Sequence, residues 1–344
     1  MTTIAWQQHG QLARGLWPGV LASFVAATAA TFLSAHYGAP VMLFALLLGM
    51  SMNFLSAGGP CQAGIEWTAR QVLRTGVALL GLRITTGQIA AMGWAPVLLV
   101  IVSVALTIAV GIAAARLMGF RAFFGLLTGG AVAICGASAA MALAAAMPKH
   151  PLRERATLFT VIGISALSTL AMIVYPMIVR AVGLDATQAG IFLGGTIHDV
   201  AQVVGAGYGM SPTTGDAATF VKLLRVAMLL PVIVVATLMT RAHRQKEGGD
   251  VDTERPPLLP WFAVAFAVLV GINSTGILPS ALTNTGNDLS RWCLVASIAA
   301  IGMKTQLKEL ATVGWKPVAL MFGETLFLAA LVLLALRLGV GGHA

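Results

Sequence analysis

The run GGTIHDVAQVVGAG, residues 194–207, puts four glycines, a His198–Asp199 pair and Gln202 inside an otherwise apolar segment. A continuous membrane helix has no use for that combination. Ionisable residues inside a bilayer are costly and mark ion or substrate paths. Paired glycines let a membrane helix break where irregular backbone lines a cavity. The run therefore reads as half of a binding site. Thr196, His198 and Gln202 would face a ligand, and Asp199, together with His198, would carry a coupling proton.

Working outward, the whole chain has the composition of a polytopic membrane protein. Its 344 residues are 58% hydrophobic and 10% charged, with a mean hydropathy of +0.88; soluble domains carry about 25% charged residues. The net charge of +9 comes from basic residues scattered singly between apolar runs, the pattern of positive-inside topology rather than of a nucleic-acid surface. Cys61, Cys135 and Cys293 have neither CxxC nor metal-ligand spacing, so no disulfide framework and no metal site is expected. Walker loops, HExxH, GxSxG and CxxC motifs are absent from the sequence, which leaves an ATP-driven pump or an ordinary membrane hydrolase without its machinery. No enzymatic activity and no cofactor are expected.

A membrane span needs about 20 apolar residues. Eleven candidate segments follow: 16–34, 40–56, 71–89, 94–115, 122–147, 156–179, 188–208, 217–240, 258–277, 288–303 and 317–338. The first follows Arg14 and is read as a helix rather than a signal peptide, since no small-residue cleavage pattern closes it. The hydrophilic stretch within 241–256, RAHRQKEGGDVDTER, reads as a cytoplasmic loop of a single transmembrane domain covering 1–344. If all eleven segments cross, the basic turn Lys149–Arg155 falls outside, against the positive-inside rule. Treating 122–147 and 188–208 as re-entrant returns it to the inside. The expectation is nine to eleven membrane segments, two of them discontinuous or re-entrant.

A repeat is also visible. GLRITTGQIAAMGWAPV at 81–97 matches GMKTQLKELATVGWKPV at 302–318, with Gly93-Trp94 and Pro96-Val97 answering Gly314-Trp315 and Pro317-Val318. In either topology the two copies run in opposite directions through the bilayer. Inverted repeats are a mark of secondary transporters, which alternate access by rocking one bundle against another.

The partner half-site is GGAVAICGAS at 129–138. It too opens on two glycines and reaches a small or polar cluster about five residues later. Cys135, Gly136, Ala137 and Ser138 would begin a second half-helix whose first amide N–H groups point into the break. Such an N-terminus carries roughly half a positive charge and binds anions without any side chain. Lys222 and Arg225, three residues apart and so on one helix face, would add positive charge. Glu324, alone in MFGETLFLAALVLL, is read either as a coupling group or as a hydrogen-bonding partner of a neighbouring helix.

Several of these motifs together, GGPCQAGIEW (58–67), GVALLGLRI (76–84), AICGASA (133–139), GGTIHDVAQVVGAG (194–207) and VKLLRV (221–226), resemble the YeiH-type family of bacterial inner-membrane proteins. Its members carry a sulfate-exporter label, so the resemblance implies an anionic substrate. Inverted repeats with paired broken segments are also similar to the sodium/proton antiporter, bile-acid symporter and citrate/glutamate symporter folds.

The sequence thus predicts an all-α inner-membrane secondary transporter exporting a small anion such as sulfate or a related oxyanion, coupled to H+ or Na+. Its partners would be that anion, the coupling ion and the lipid bilayer, with no nucleic acid; homo-oligomerisation is left open. The alternatives are a cation/proton antiporter using Asp199, and a channel.

Overall fold

In lipid every backbone N–H and C=O must be satisfied within the segment itself, which leaves an apolar chain of this kind to fold as helices. The computed structural model describes residues 2–37, 41–91, 93–146, 151–236, 261–305 and 314–339, and all regular structure among them is helical. In chain order the helices are α1 (Thr2–Tyr37), α2 (Val41–Ser51), α3 (Gln62–Trp67), α4 (Leu73–Leu79), α5 (Thr86–Ala91), α6 (Ala95–Leu117), α7 (Ala122–Ala133), α8 (Ala137–Ala146), α9 (Pro151–Val182), α10 (Ala186–Thr196), α11 (Val200–Met210), α12 (Pro212–Ala227), α13 (Trp261–Ser274), α14 (Ser280–Lys304) and α15 (Trp315–Arg337). Beyond a turn at Met228, the helix begun by α12 carries on to Ala236. Among the described residues five helical stretches are long and apolar enough to cross a membrane: Gly15–Tyr37, Ala95–Leu117, Arg155–Val182, Pro212–Ala236 and Trp315–Arg337. The expected cytoplasmic loop at 241–256 lies outside the described residues, as do the start of the basic turn at 149–150 and positions 306–313 of the second repeat copy.

The chain divides into two units. The first comprises Met1–Gln88, Val204–Met210 and Phe262–Gln306. Here α3, a π-helical turn at Thr68–Val72, α4 and a 3-10 turn at Leu80–Leu82 follow one another without interruption. The segment expected at 71–89 therefore begins nine residues earlier, at Gln62, and its regular helix ends by Leu82. Periodicity misses this because the π turn shifts the register of the apolar face. The α14 helix packs on α2 where Gly49 meets Ala299 and Gly302, a small-residue crossing that brings the two backbones together. The last turn of α14 is capped by side chains, as Asn53 Nδ2 and Ser56 Oγ each donate to Met303 O at 2.7 Å.

The second unit comprises Ile89–Val203, Ser211–Trp261 and Leu307–Ala344. Its α6 and α15 are both 23 residues long, and each follows a glycine with positive φ, Gly93 (67°) and Gly314 (86°). The GW-x-P spelling common to 93–96 and 314–317 is thus a shared way of starting a helix. Glycines govern the packing here as well. On the α6–α7 crossing Gly125 lies against Gly111 and Ala115. On the α10–α12 crossing Gly190 and Gly194 lie against Ala217 and Ala218.

Two helices of this unit are interrupted where the sequence leads one to expect it. The α7 helix ends at Ala133, residues 134–136 form a turn, and α8 starts at Ala137. Leu143 of α8 lies against Gly130 of α7, so α8 folds back along α7 instead of continuing its line. The α10 helix ends at Thr196, Ile197 is extended (φ −67°, ψ 137°), and α11 starts at Val200. The segments expected at 122–147 and 188–208 are accordingly discontinuous.

Candidate functional site

The two breaks adjoin. A Cβ placed on Gly136 would stand 3.5 Å from the Cβ of His198 and 3.1 Å from Cγ2 of Ile164. Gly136 has φ of +62°, a backbone conformation that side chains with a Cβ disfavour. This lets the chain reverse between α7 and α8 with Gly136 N donating to Ala131 O at 2.9 Å.

A helix end leaves backbone groups without intrahelical partners, and buried ones need others. At the C-terminal ends of the two first halves the carbonyls of Val132, Ala133, Ile134, Gly194 and Ile197 receive them from one helix, α12. Lys222 Nζ donates to Ile134 O (2.7 Å) and Ile197 O (2.9 Å), and so bridges the two breaks. Arg225 Nε donates to Ala133 O (2.7 Å) and Nη2 to Val132 O (2.7 Å). Arg225 Nη1 reaches Gly194 O and Ile197 O, both at 3.2 Å. Lys222 and Arg225 are wholly buried. The side chains of Lys222 and Arg225 thus meet two helix C-termini, each of which carries roughly half a negative charge.

His198 belongs to the same network. Its Nδ1 lies 3.1 Å from Val132 O and its Nε2 3.0 Å from Thr325 Oγ1 on α15. A carbonyl can only accept, so Nδ1 carries a hydrogen, and the Thr325 hydroxyl then decides the state of Nε2. Directed at Met321 O (2.7 Å), that hydroxyl accepts from a doubly protonated ring; turned to Nε2, it donates to a neutral one.

The N-terminal ends of the second halves are arranged differently. Asp199 caps α11: its Oδ1 accepts from Ala201 N at 2.8 Å, and its own N–H donates to Ser168 Oγ at 3.0 Å. A carboxylate of the chain itself therefore occupies the anion position at this helix start. The start of α8 has no acidic residue. Ala137 is half-buried and Ser138 exposed, while Cys135 behind them is buried. Asp199 and Val200 are half-buried. The first halves thus end in buried protein, whereas the second halves begin at half-buried residues and, in α8, at the exposed Ser138.

Of the remaining residues singled out in the sequence, Thr196 turns its hydroxyl to Phe192 O of its own helix at 2.6 Å. Gln202 is buried; its Nε2 donates to Thr169 Oγ1 at 2.9 Å and its Oε1 has no partner among the described residues. Cys135, Gly136, Thr196, Ile197, His198, Asp199, Lys222 and Arg225 therefore gather around one pair of breaks, with Ser138 at its accessible edge. Thr325, Thr169 and Ser168 complete the network, and hydroxyls in apolar helices carry no sequence signal that separates them from structural ones. Among the described residues no three His, Cys, Asp or Glu side chains come together as metal ligands.

An all-helical chain with five membrane-length apolar helices among the described residues is a multi-pass inner-membrane protein, here with two broken helices that adjoin. The family model described as "Conserved hypothetical protein 698" matches residues 18–321, and the chain belongs to that family, which includes the YeiH-type proteins whose motifs it shares. Among curated relatives, a UPF0324 membrane protein of Chlorobaculum tepidum is 58% identical over 318 residues, covering 92% of this chain and 88% of the relative. The UPF0324 membrane protein TauZ of Paracoccus denitrificans is 50% identical over 329 residues, covering 95% and 96%.

Proposed function

We propose that the protein is a secondary transporter that exports a small anion, sulfate or a related oxyanion, coupled to a proton or sodium ion, and that it is not an enzyme. The observation that carries this reading is the junction of the two breaks with Lys222 and Arg225 bound to the carbonyls of both. With these cations and Asp199 all charged, the helix ends at the junction cancel in pairs, and roughly one positive charge is left over. An anion at the accessible first turn of α8, held by the amides of Ala137 and Ser138, would balance it. On this reading Cys135 and Gly136 shape the turn. Lys222 and Arg225 contribute their charge, since most of their donors are already given to backbone. Gln202 and His198 line the junction, with Thr196 behind them. Protonation of Asp199 or His198 raises the local positive charge and so couples anion binding to the proton.

A second reading, cation/proton antiport, draws on Asp199 itself, a half-buried carboxylate at the start of α11. Counterflow in proteoliposomes of the purified full-length chain separates the two. Labelled sulfate or sulfite should exchange against its unlabelled form, while labelled sodium should not. Sodium exchange without oxyanion exchange would overturn the anion reading, and unsaturable flux with no counterflow would identify a channel.

A further inference from the structure

Glu324 lies in mid-helix on α15, 2% exposed. Its carboxyl occupies a recess made by glycines: a Cβ on Gly111 of α6 would stand 2.6 Å from its Oε1. Oε1 is 2.8 Å from Thr128 Oγ1 on α7, and Oε2 has no partner among the described residues. Thr107 of α6, one turn before Gly111, also has a buried hydroxyl without a partner.

The Thr128 hydroxyl has one hydrogen and three acceptors within reach, Glu324 Oε1 at 2.8 Å, Phe124 O at 3.1 Å and, at the limit, Gly125 O at 3.5 Å. A carboxylate would have to draw that hydrogen away from Phe124 and would still keep a bare oxygen in dry protein. Such a buried anion costs several kcal/mol unless it is paired. No ion pair to Glu324 exists among the described residues. The helices packed on α15 bring few ionisable groups: Arg116 in the last turn of α6, none within α7 or α10, and on α9 Tyr175 in its apolar part with Arg153, Glu154, Arg155 and Arg180 towards its ends. His198, just after α10, bonds to Thr325 rather than to Glu324. Lys222 and Arg225 of α12 are bound to the carbonyls of the two breaks. A neutral carboxylic acid removes the conflict over the Thr128 hydrogen, with Glu324 donating from Oε1 to Thr128 Oγ1 while Thr128 donates to Phe124 O, and leaves Oε2 an uncharged oxygen, which costs less to bury than a carboxylate.

We infer that Glu324 is a proton-binding site of this protein, holding its proton against Thr128 in the state seen here and releasing it to water when the recess opens. The adjacent residue, Thr325, bonds to His198, so the proton site and the helix breaks share two consecutive positions of α15. That the proton drives transport rests on the reading proposed above; that Glu324 binds it does not.

Infrared spectroscopy of the full-length protein in liposomes tests the site directly. The wild type should show the C=O stretch of a buried protonated carboxyl, shifted in D2O. Glu324→Gln should lack that band, and Thr128→Val, which removes one hydrogen-bond partner, should move it to higher frequency. In flux measurements Glu324→Gln should keep oxyanion counterflow but lose its acceleration by an imposed pH gradient. A spectrum with the same carboxyl bands in wild type and Glu324→Gln would overturn the proton site, whatever the transport result. A pH gradient that drives the variant as well as the wild type would overturn its coupling role. A band lost on substitution in a protein that moves no oxyanion would leave the proton site standing and remove the transport reading instead.

Discussion

Gly136 and His198 face each other across the two helix breaks, 3.5 Å separating the histidine Cβ from the position a Cβ on the glycine would take. One break brings a reversal of the chain, the other a buried imidazole bound to Val132 and Thr325. Neither half can be altered without pressing on the other.

Gly136→Ala tests that closeness. The added methyl meets Ile164 at 3.1 Å in a backbone conformation of positive φ, where a residue with a Cβ loses about 1–2 kcal/mol. The variant should unfold at lower temperature than the wild type, measured by tryptophan fluorescence in detergent, and should show weaker oxyanion counterflow.

Arg225 acts on the scaffold before it acts on any ligand. Arg225→Ala leaves the carbonyls of Ala133 and Gly194 short of donors in buried protein, each at a cost of about 1–3 kcal/mol, while Val132 O keeps His198 Nδ1. Size-exclusion chromatography should show little folded protein. Arg225→Lys keeps the charge but loses the planar fork that reaches several carbonyls at once, and it should recover only part of the yield. A residue that merely touches the substrate would leave folding intact on either substitution.

Asp199 separates charge from capping. Asp199→Asn retains an oxygen for Ala201 N, while Asp199→Ala removes the cap of α11 and should cost about 1 kcal/mol. Removing the negative charge beside the anion position should tighten oxyanion binding, measured as the concentration of sulfate that protects against thermal unfolding. Weaker protection in Asp199→Asn would mean that the carboxylate holds a cation.

Ser138 and Cys135 are three residues apart, and only Ser138 is exposed. Free amides at the start of α8 cannot face lipid, so the exposed side chain must face water. With Cys61 replaced by serine, Ser138→Cys should react with a membrane-impermeant thiol reagent, native Cys135 should not, and sulfate should slow the reaction. An unreactive residue 138 would show that the start of α8 is closed to water and would overturn the anion position proposed there.

The helix breaks were legible because Gly129-Gly130 and Gly194-Gly195 each precede a small or polar cluster that an unbroken span would not carry. The basic pair Lys222 and Arg225 was legible as a pair. Its targets were not, since Ile134 lies 88 residues from Lys222 and Val132 lies 93 from Arg225; spacing says which residues share a helix face, not what that face meets. The recess of Glu324 was hidden for the same reason, with Thr128 196 residues away. The π turn at Thr68–Val72 escaped because every residue in it suits an ordinary helix.

The bridge from Lys222 to both Ile134 and Ile197 has a consequence for motion. Two kinked rods pinned to a common bolt cannot slide past one another without first drawing it. On the transport reading proposed above, any rearrangement of this region should carry both kinks together with their fixed electric field. On that same reading, selectivity would be left to the few amides and hydroxyls at the rim, which can vary while the bolt stays in place.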